Sequence, residues 1–300
     1  NPSDAVYTTF KDQVGAANLQ DTIQGGIDKT RNDKNDYVIV VPQDANAVWG
    51  VGTAVDLNKD RVHLIAAGFN KAKRSYSLTV RGTFGTLPDS EVIAVTGDAC
   101  EVGGVRFLGT LGTNDGGTMA NGVGYIAGHD FWAHDCVFED STTLWGTPPV
   151  VRGGGTLAHD ARFDDCAFAV STSGVESAGN APEVHGGAGN KRWQFNDCRF
   201  TLAAGSVTET FFTPGTGAKE RTEFNRCHFG LVSGTAFAIT SAVRGSTTVN
   251  NPILLNFCSA LSVTALGTDP NVFSVPNQSG TAGAGIHQPL LYMVGTAAVT

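Results

Sequence analysis

The chain has no run of lysines or arginines and few charges of either sign. Charged residues are 16% of its 300 residues, against ~25% in an average soluble domain, and the net charge is −8. Displacing counterions from nucleic acid takes a basic surface, so nucleic acid is not an expected partner. No stretch reaches 18 consecutive apolar residues, so no membrane span is expected. There is no CxxC pair and no clustered DxDxD run, which removes the simplest zinc and calcium sites. Gly-rich strings occur, but none sits between a strand and a helix as a nucleotide site requires. His129, His134, His159, His185 and His228 are scattered, with no Ser/His/Asp set near them. No metal and no cofactor is expected.

Glycine is abundant, at 38 of 300 residues against a usual ~7%. Thr, Val, Ala, Ser and Phe take much of the place left by charge. That composition suits many short strands joined by tight turns. A hydrophobic content of 41% is too high for a disordered chain.

An internal repeat organises the second half. Aligned on Cys136, Cys166, Cys198, Cys227 and Cys258, the segments read FWAHDCVF, ARFDDCAF, WQFNDCRF, TEFNRCHF and ILLNFCSA. One step upstream Val105 takes the cysteine slot, while Cys100 lies outside the register. Three residues before the cysteine stand Ala133, Phe163, Phe195, Phe224 and Leu255. Two after it stand Phe138, Phe168, Phe200, Phe229 and Ala260. Inward residues of a flat strand recur at even spacing, so an odd step of three requires a bend. The column His134, Asp164, Asn196, Asn225 and Asn256 offers it, being rich in the non-Gly residues most tolerant of left-handed backbone. The reading is strand, one-residue corner, strand, with both apolar columns and the cysteines facing inward.

A bent repeat of about thirty residues fits one coil of a solenoid, whose equivalent residues stack ~4.8 Å apart. Leucine-rich repeats are shorter and carry an LxxLxL pattern missing here, and propeller blades are longer. The expected fold is all-β: a single-stranded right-handed parallel β-helix. Residues 1–35 form an arm and a capping helix, with Leu19, Ile23 and Ile27 on one face of Ala16 to Lys29. Residues 36–265 form the coils, and 266–300 a terminal coil and tail. A solenoid end exposes a raw apolar cross-section and needs such a cap.

The order LQDTIQGGID, YVIVVP, AVDLNKDRVHLIAAG and then coils resembles the pectate-lyase-like β-helix superfamily across residues 16 to 265. The resemblance implies a capping helix, a strand ending in Pro and a stack of coils. It leaves function open, since that superfamily holds polysaccharide lyases and hydrolases, phage tailspikes and catalytically silent virion proteins.

The cysteines Cys136, Cys166, Cys198, Cys227 and Cys258 read as a reduced interior ladder. Stacking at ~4.8 Å exceeds the ~3.5–4.5 Å between Cβ atoms of a disulfide. Asn196, Asn225 and Asn256 and the four phenylalanines Phe138, Phe168, Phe200 and Phe229 complete the structural ladder. Asp135, Asp165 and Asp197 form an acidic column whose ~5 and ~10 Å spacings bracket the carboxylate pairs of glycosidases. A pectate-lyase mechanism needs a basic residue near such acids, for which Arg199 and Arg226 flank successive cysteines; the alternative is two solvated surface charges. The alternative use of those acids is to bond turn amides. Asp164-Asp165 and HGG at 185–187 faintly resemble polygalacturonase-type hydrolases, whose acidic NTD-like and basic RIK-like segments are missing. Trp132, Trp145 and Trp193 are candidates to stack on sugar rings, with core or loop packing as the commoner use of each. Two functions follow. One is a structural protein of a virus particle, a capsid decoration, fibre or tail component. Its partners would be other virion proteins or itself, as a homo-oligomer with a trimer among the options. The other is a carbohydrate-active or carbohydrate-binding β-helix acting on surface glycans, secreted or extracellular. The absence of a complete catalytic set favours the first.

Overall fold

The computed structural model describes Asp12 and residues 14–41, 47–51, 53–68, 78–84, 91–111, 122–140, 150–154, 158–170, 184–187, 191–202, 210–214, 220–231, 239–243, 252–261, 263–267, 272–275 and 292–293. Among these, three parallel sheets wind about one axis, of ten, eight and eight strands. Sheet A carries Trp132–His134, Arg162–Asp164, Gln194–Asn196, Thr222–Asn225 and Ile253–Asn256 in successive coils. Sheet B follows each of them with Val137–Asp140, Ala167–Val170, Arg199–Leu202, His228–Leu231 and Ser259–Leu261. Sheet C closes the coil, as in Val151–Gly153 and Val184–His185. The register pairs Trp132 with Arg162, then Gln194, Glu223 and Leu254, steps of 30, 32, 29 and 31 residues. The fold is a parallel β-solenoid. Among the described strands, only the last of sheet A, Tyr292–Met293, pairs antiparallel, with its neighbour Val272–Val275. No helix among the described residues is long and apolar enough to cross a membrane.

The helix at the N-terminal end is shorter than the apolar spacing suggests. It covers Ile23–Lys29, after a separate 3-10 turn at Ala16–Asn18. Thr22 stops it from starting earlier: its backbone is extended, and its Oγ1 accepts the Gly25 N–H at 2.9 Å. Ile23 and Ile27 are buried on the first coil. Gln24 bonds the backbone of Asp56 through both amide atoms, and Lys59 Nζ donates to the carbonyls of Ile27, Asp28 and Thr30. A cation on those last carbonyls offsets the negative end of the helix.

Inside the coils, like stacks on like. Phe163, Phe195 and Phe224 lie ring over ring at 4.9 and 4.7 Å, within 6° of parallel. A second stack runs Phe168, Phe200, Phe229 at 4.8 and 4.9 Å. Those distances are the spacing of parallel strands. The two stacks meet edge to face, as Phe195 meets Phe200 at 5.6 Å and 65°, the arrangement the ring quadrupole favours. The cysteines sit between them, buried and unbridged. Each thiol donates to a carbonyl of the preceding coil: Cys166 to Ala133, Cys198 to Phe163, Cys227 to Phe195 and Cys258 to Phe224, at 3.3–3.5 Å. Cys100 follows a different corner, after left-handed Ala99, and bonds Lys59 O at 3.2 Å.

Burial pushes the Cys100 thiol up to about 11 and holds Cys136, Cys166, Cys198 and Cys258 well above the ordinary thiol range, while hydrogen bonds from the Cys198 and Cys258 thiols outweigh burial at Cys227 and hold it below that range. A thiol that keeps its proton longer in the folded chain stabilises the fold below the unfolded thiol range. That contribution is lost as pH rises from ~8.5 upward. Urea midpoints are therefore expected to fall progressively above about pH 8.5. A thiol reagent at neutral pH should label the chain only as it unfolds. Steady midpoints through that range, or fast labelling of the folded chain, would contradict burial of the five raised thiols in their protonated form.

Candidate functional site

The corner from sheet A to sheet B lies one residue later than the sequence pattern suggests. Left-handed backbone falls on Gly104, Asp135, Asp165, Asp197, Arg226 and Phe257, with φ between 52° and 70°. His134, Asp164, Asn196, Asn225 and Asn256 are instead the last residues of their strands. The amides stack along the outer face. Asn256 Nδ2 donates to Asn225 Oδ1, Asn225 to Asn196, and Asn196 to Asp164 Oδ1, at 2.7–2.8 Å. Asparagine is there for its paired donor and acceptor, which a one-residue-per-coil ladder can use without remainder.

The acidic column occupies the corner itself. Asp135, Asp165 and Asp197 donate their backbone N–H groups to the carbonyls of Asp164, Asn196 and Asn225 in the next coil, at 2.8–2.9 Å. Asp tolerates left-handed backbone better than most side chains. The same corner also takes Arg226 and Phe257, so the position demands the conformation before it demands a carboxylate. Asp197 is paired with Arg226 through two contacts of 2.6 and 2.8 Å, and Asp135 lies 3.1 Å from His134 Nδ1. Arg199 is exposed on sheet B, in register between Ala167 and His228. Burial, and then the charge of Arg199, hold His228 below the ordinary imidazole range. His228 Nδ1 lies 2.9 Å from Ser259 Oγ.

The aromatic candidates separate. Trp193 is fully buried, not surface-exposed: its Nε1 donates to Ala158 O at 2.7 Å, and its ring packs on Phe163 at 5.8 Å. It stands two residues before Phe195, and even spacing puts both inside. Trp132 is 39% exposed. Its Nε1 donates to Asp164 Oδ2 at 2.9 Å, its ring leans on His134 at 4.6 Å, and the Arg162 guanidinium lies 5.8 Å from its centre. Trp145 lies outside the described residues.

Sequence reasoning missed one cluster. On the outer face of sheet A the register places Tyr37, His63, Glu101 and Trp132 in one column. Tyr37 stacks on His63 at 4.3 Å. Glu101 lies 2.7 Å from His63 Nδ1 and 3.0 Å from His134 Nε2. The coil containing His63 is 38 residues from the next, far from the thirty-residue period. Only the register of the early coils could have linked these residues. No group of His, Cys, Asp or Glu among the described residues is arranged to hold a metal ion.

The fold and this outer face define a class, a parallel β-solenoid whose polar side chains are largely bonded to one another from coil to coil. No family profile and no curated protein matches the sequence. Among solved structures the chain is similar to ORF18 of Geobacillus virus E2, with a TM-score of 0.40 at 15% identity. The match covers 91% of this chain and 64% of that one, so the chain spans less than two thirds of that neighbour's length.

Proposed function

We propose that the protein is a structural β-helix of a virus particle, a capsid decoration, fibre or tail component that binds protein or surface partners and catalyses nothing. The observation that carries this reading is the use made of the acidic column. Asp135, Asp165 and Asp197 serve a left-handed corner, each bonded through its backbone to the next coil. General acid–base work needs groups converging on one reacting atom. Arg199 stands at the start of a sheet B strand, two residues past the corner, and Asp197 at that corner is paired with Arg226. Virion membership rests on the resemblance to a superfamily that includes tailspikes and silent virion proteins. Residues that lock coil to coil suit a rigid spacer more than a reaction centre.

A second reading, glycan binding without cleavage, is favoured by the exposure of Tyr37 and Trp132 on one face, at 60% and 39%. The test joins two measurements on the full chain: sedimentation for its assembly state, and incubation with a panel of acidic polysaccharides read for new chain ends. A stable homo-oligomer that leaves every polysaccharide intact is expected. A monomer that cleaves one of them, with activity lost in Asp165→Asn, would sink the structural reading. Retention on a polysaccharide without cleavage, lost in Trp132→Ala, would establish the second.

A further inference from the structure

Three side chains from successive coils share one column on the outer face of sheet B. The register sets Arg199 beside His228, and His228 beside Ser259. Each is followed on its strand by a buried residue, Phe200, Phe229 or Ala260, so all three point outward. His228 Nδ1 lies 2.9 Å from Ser259 Oγ. The imidazole lies over Gly230, where an added Cβ would stand 3.3 Å from Nε2. The ring is thus held from two sides, by the hydroxyl of the next coil and by a bare stretch of its own strand.

Arg199 differs from its neighbours. Arg106, Arg162, Arg192, Arg221 and Arg226 each meet a carboxylate at 2.6–2.8 Å. Arg199 meets none among the described residues, in a chain whose net charge is −8. The acids around it are engaged elsewhere. Asp197, at the corner before it, is paired with Arg226, and Glu139 is paired with Arg106. In the two preceding coils the column continues as Ala167 and Val137. The next outward positions along the three strands, Thr201, Gly230 and Leu261, carry no charge. The field of Arg199 therefore falls on His228, whose imidazole is held below its ordinary range by burial and then by that cation. The column offers donors. A guanidinium donates and cannot accept. Whichever of His228 and Ser259 donates in their mutual bond, a further donor faces outward: Nε2–H if the hydroxyl donates, the O–H if Nδ1–H does.

We infer that Arg199, His228 and Ser259 form a binding site for a phosphate or sulfate group on the outer face of sheet B. The guanidinium fork takes two oxygens of the group, the geometry in which arginine binds such anions. The His228–Ser259 pair donates to a third. A bound anion also offsets the charge of Arg199 at the imidazole, so the ring gains a proton more readily when the site is filled. The same chemistry serves a free ion and an ester carried on a polymer, and the experiment below separates them. This goes beyond the structural role proposed above and depends on neither reading of it.

Proton resonances of the histidine rings, followed against pH in the full chain at constant ionic strength, test the site. His228→Gln identifies the His228 signal by its loss. Replacing chloride by inorganic phosphate or sulfate is expected to raise the His228 midpoint by about one pH unit or more, the effect of a close opposite charge, and to leave the other histidines unmoved. Arg199→Gln should raise the midpoint in chloride, because the neighbouring cation is gone, and abolish the further rise in phosphate or sulfate. Arg199→Lys keeps the charge without the fork and should keep part of that rise. Circular dichroism checks the fold of both variants. Dextran sulfate, with neutral dextran as control, separates the sources. A shift at ester concentrations where inorganic sulfate gives none assigns the site to a polymer. A shift with the inorganic ions at equal or lower concentration assigns it to a free ion. No effect of phosphate, sulfate or dextran sulfate on the unmodified chain would overturn the inference, as would an equal effect on every histidine or one that persists in Arg199→Gln.

Discussion

Replacing Phe195 by alanine is expected to lower the unfolding free energy by about 3–5 kcal/mol, the range for truncating a large buried aromatic. Phe195 is fully buried at the centre of the phenylalanine stacks. Its ring lies 4.9 Å from Phe163 and 4.7 Å from Phe224 in its own column, and 5.6 Å from Phe200 and 5.8 Å from Phe168 in the other. Phe212 of sheet C closes the ring at 6.0 Å. A globular core recovers part of such a loss by collapsing into the void. A solenoid has less freedom to do so, because hydrogen bonds fix the spacing of its coils at ~4.8 Å. The substitution also weakens the packing of two inter-coil interfaces at once, and repeat stability is close to a sum of such interfaces. Urea unfolding followed by far-ultraviolet dichroism should show a lower midpoint, or a split transition if the two halves uncouple. Phe195→Leu, which keeps most of the volume, should cost less than about 1.5 kcal/mol. Equal losses for the two substitutions would mean that the stacked ring is not what the position provides.

The parts of this fold that were legible in the sequence are those in which one residue type fills one column. Phe163, Phe195 and Phe224 repeat because a parallel stack sets like on like, and the inward cysteines repeat because a small, weakly polar side chain fits beside them. The corner lies one residue later than the pattern suggests, for a physical reason. Asn196, Asn225 and Asn256 have a high tolerance for left-handed backbone, yet they spend their side chains on an amide ladder within regular strands. The true corner accepts Arg226 and Phe257, which no propensity selects, because the inter-coil hydrogen bonds impose the conformation. Trp193 is compatible by type with a surface ring or a core ring, and its even spacing from Phe195 is what puts it in the core. The cluster of His63, Glu101 and His134 was hidden by the variable length of the early coils. Register is a property of strand pairing, and a sequence period reports it only where loops keep a constant length.

A methyl group at Gly128 is expected to cost about 3 kcal/mol or more, combining the ~1–3 kcal/mol of overpacking with the ~1–3 kcal/mol of a buried hydrogen bond left unmade. The backbone of Gly128 lies outside the left-handed region, so space decides the effect. An added Cβ would stand 2.0 Å from Gly97 O and 2.8 Å from Gly97 C. These are backbone atoms, with no flexible side chain to swing aside. The coil cannot withdraw cheaply, because the N–H groups of Ala127 and Gly128 both donate to Val95 O, at 2.8 and 3.1 Å. The same crowding recurs one coil earlier, where a Cβ on Gly97 would stand 2.3 Å from Lys59 O. Glycine on the way from sheet C to sheet A thus lets successive coils approach to the distance their hydrogen bonds require. Gly50 provides the opposite case within the same solenoid. It is exposed in a sheet B strand with nothing within 4 Å of an added Cβ. Gly50→Ala should therefore stabilise by about 0.5–1 kcal/mol through lower chain entropy in the unfolded state. Thermal or urea midpoints that move in opposite directions for Gly128→Ala and Gly50→Ala would establish that coil approach, and not glycine's flexibility, accounts for Gly128. If Gly128→Ala left the midpoint unchanged, the coils would have to be spaced more widely at that point than their hydrogen bonds allow.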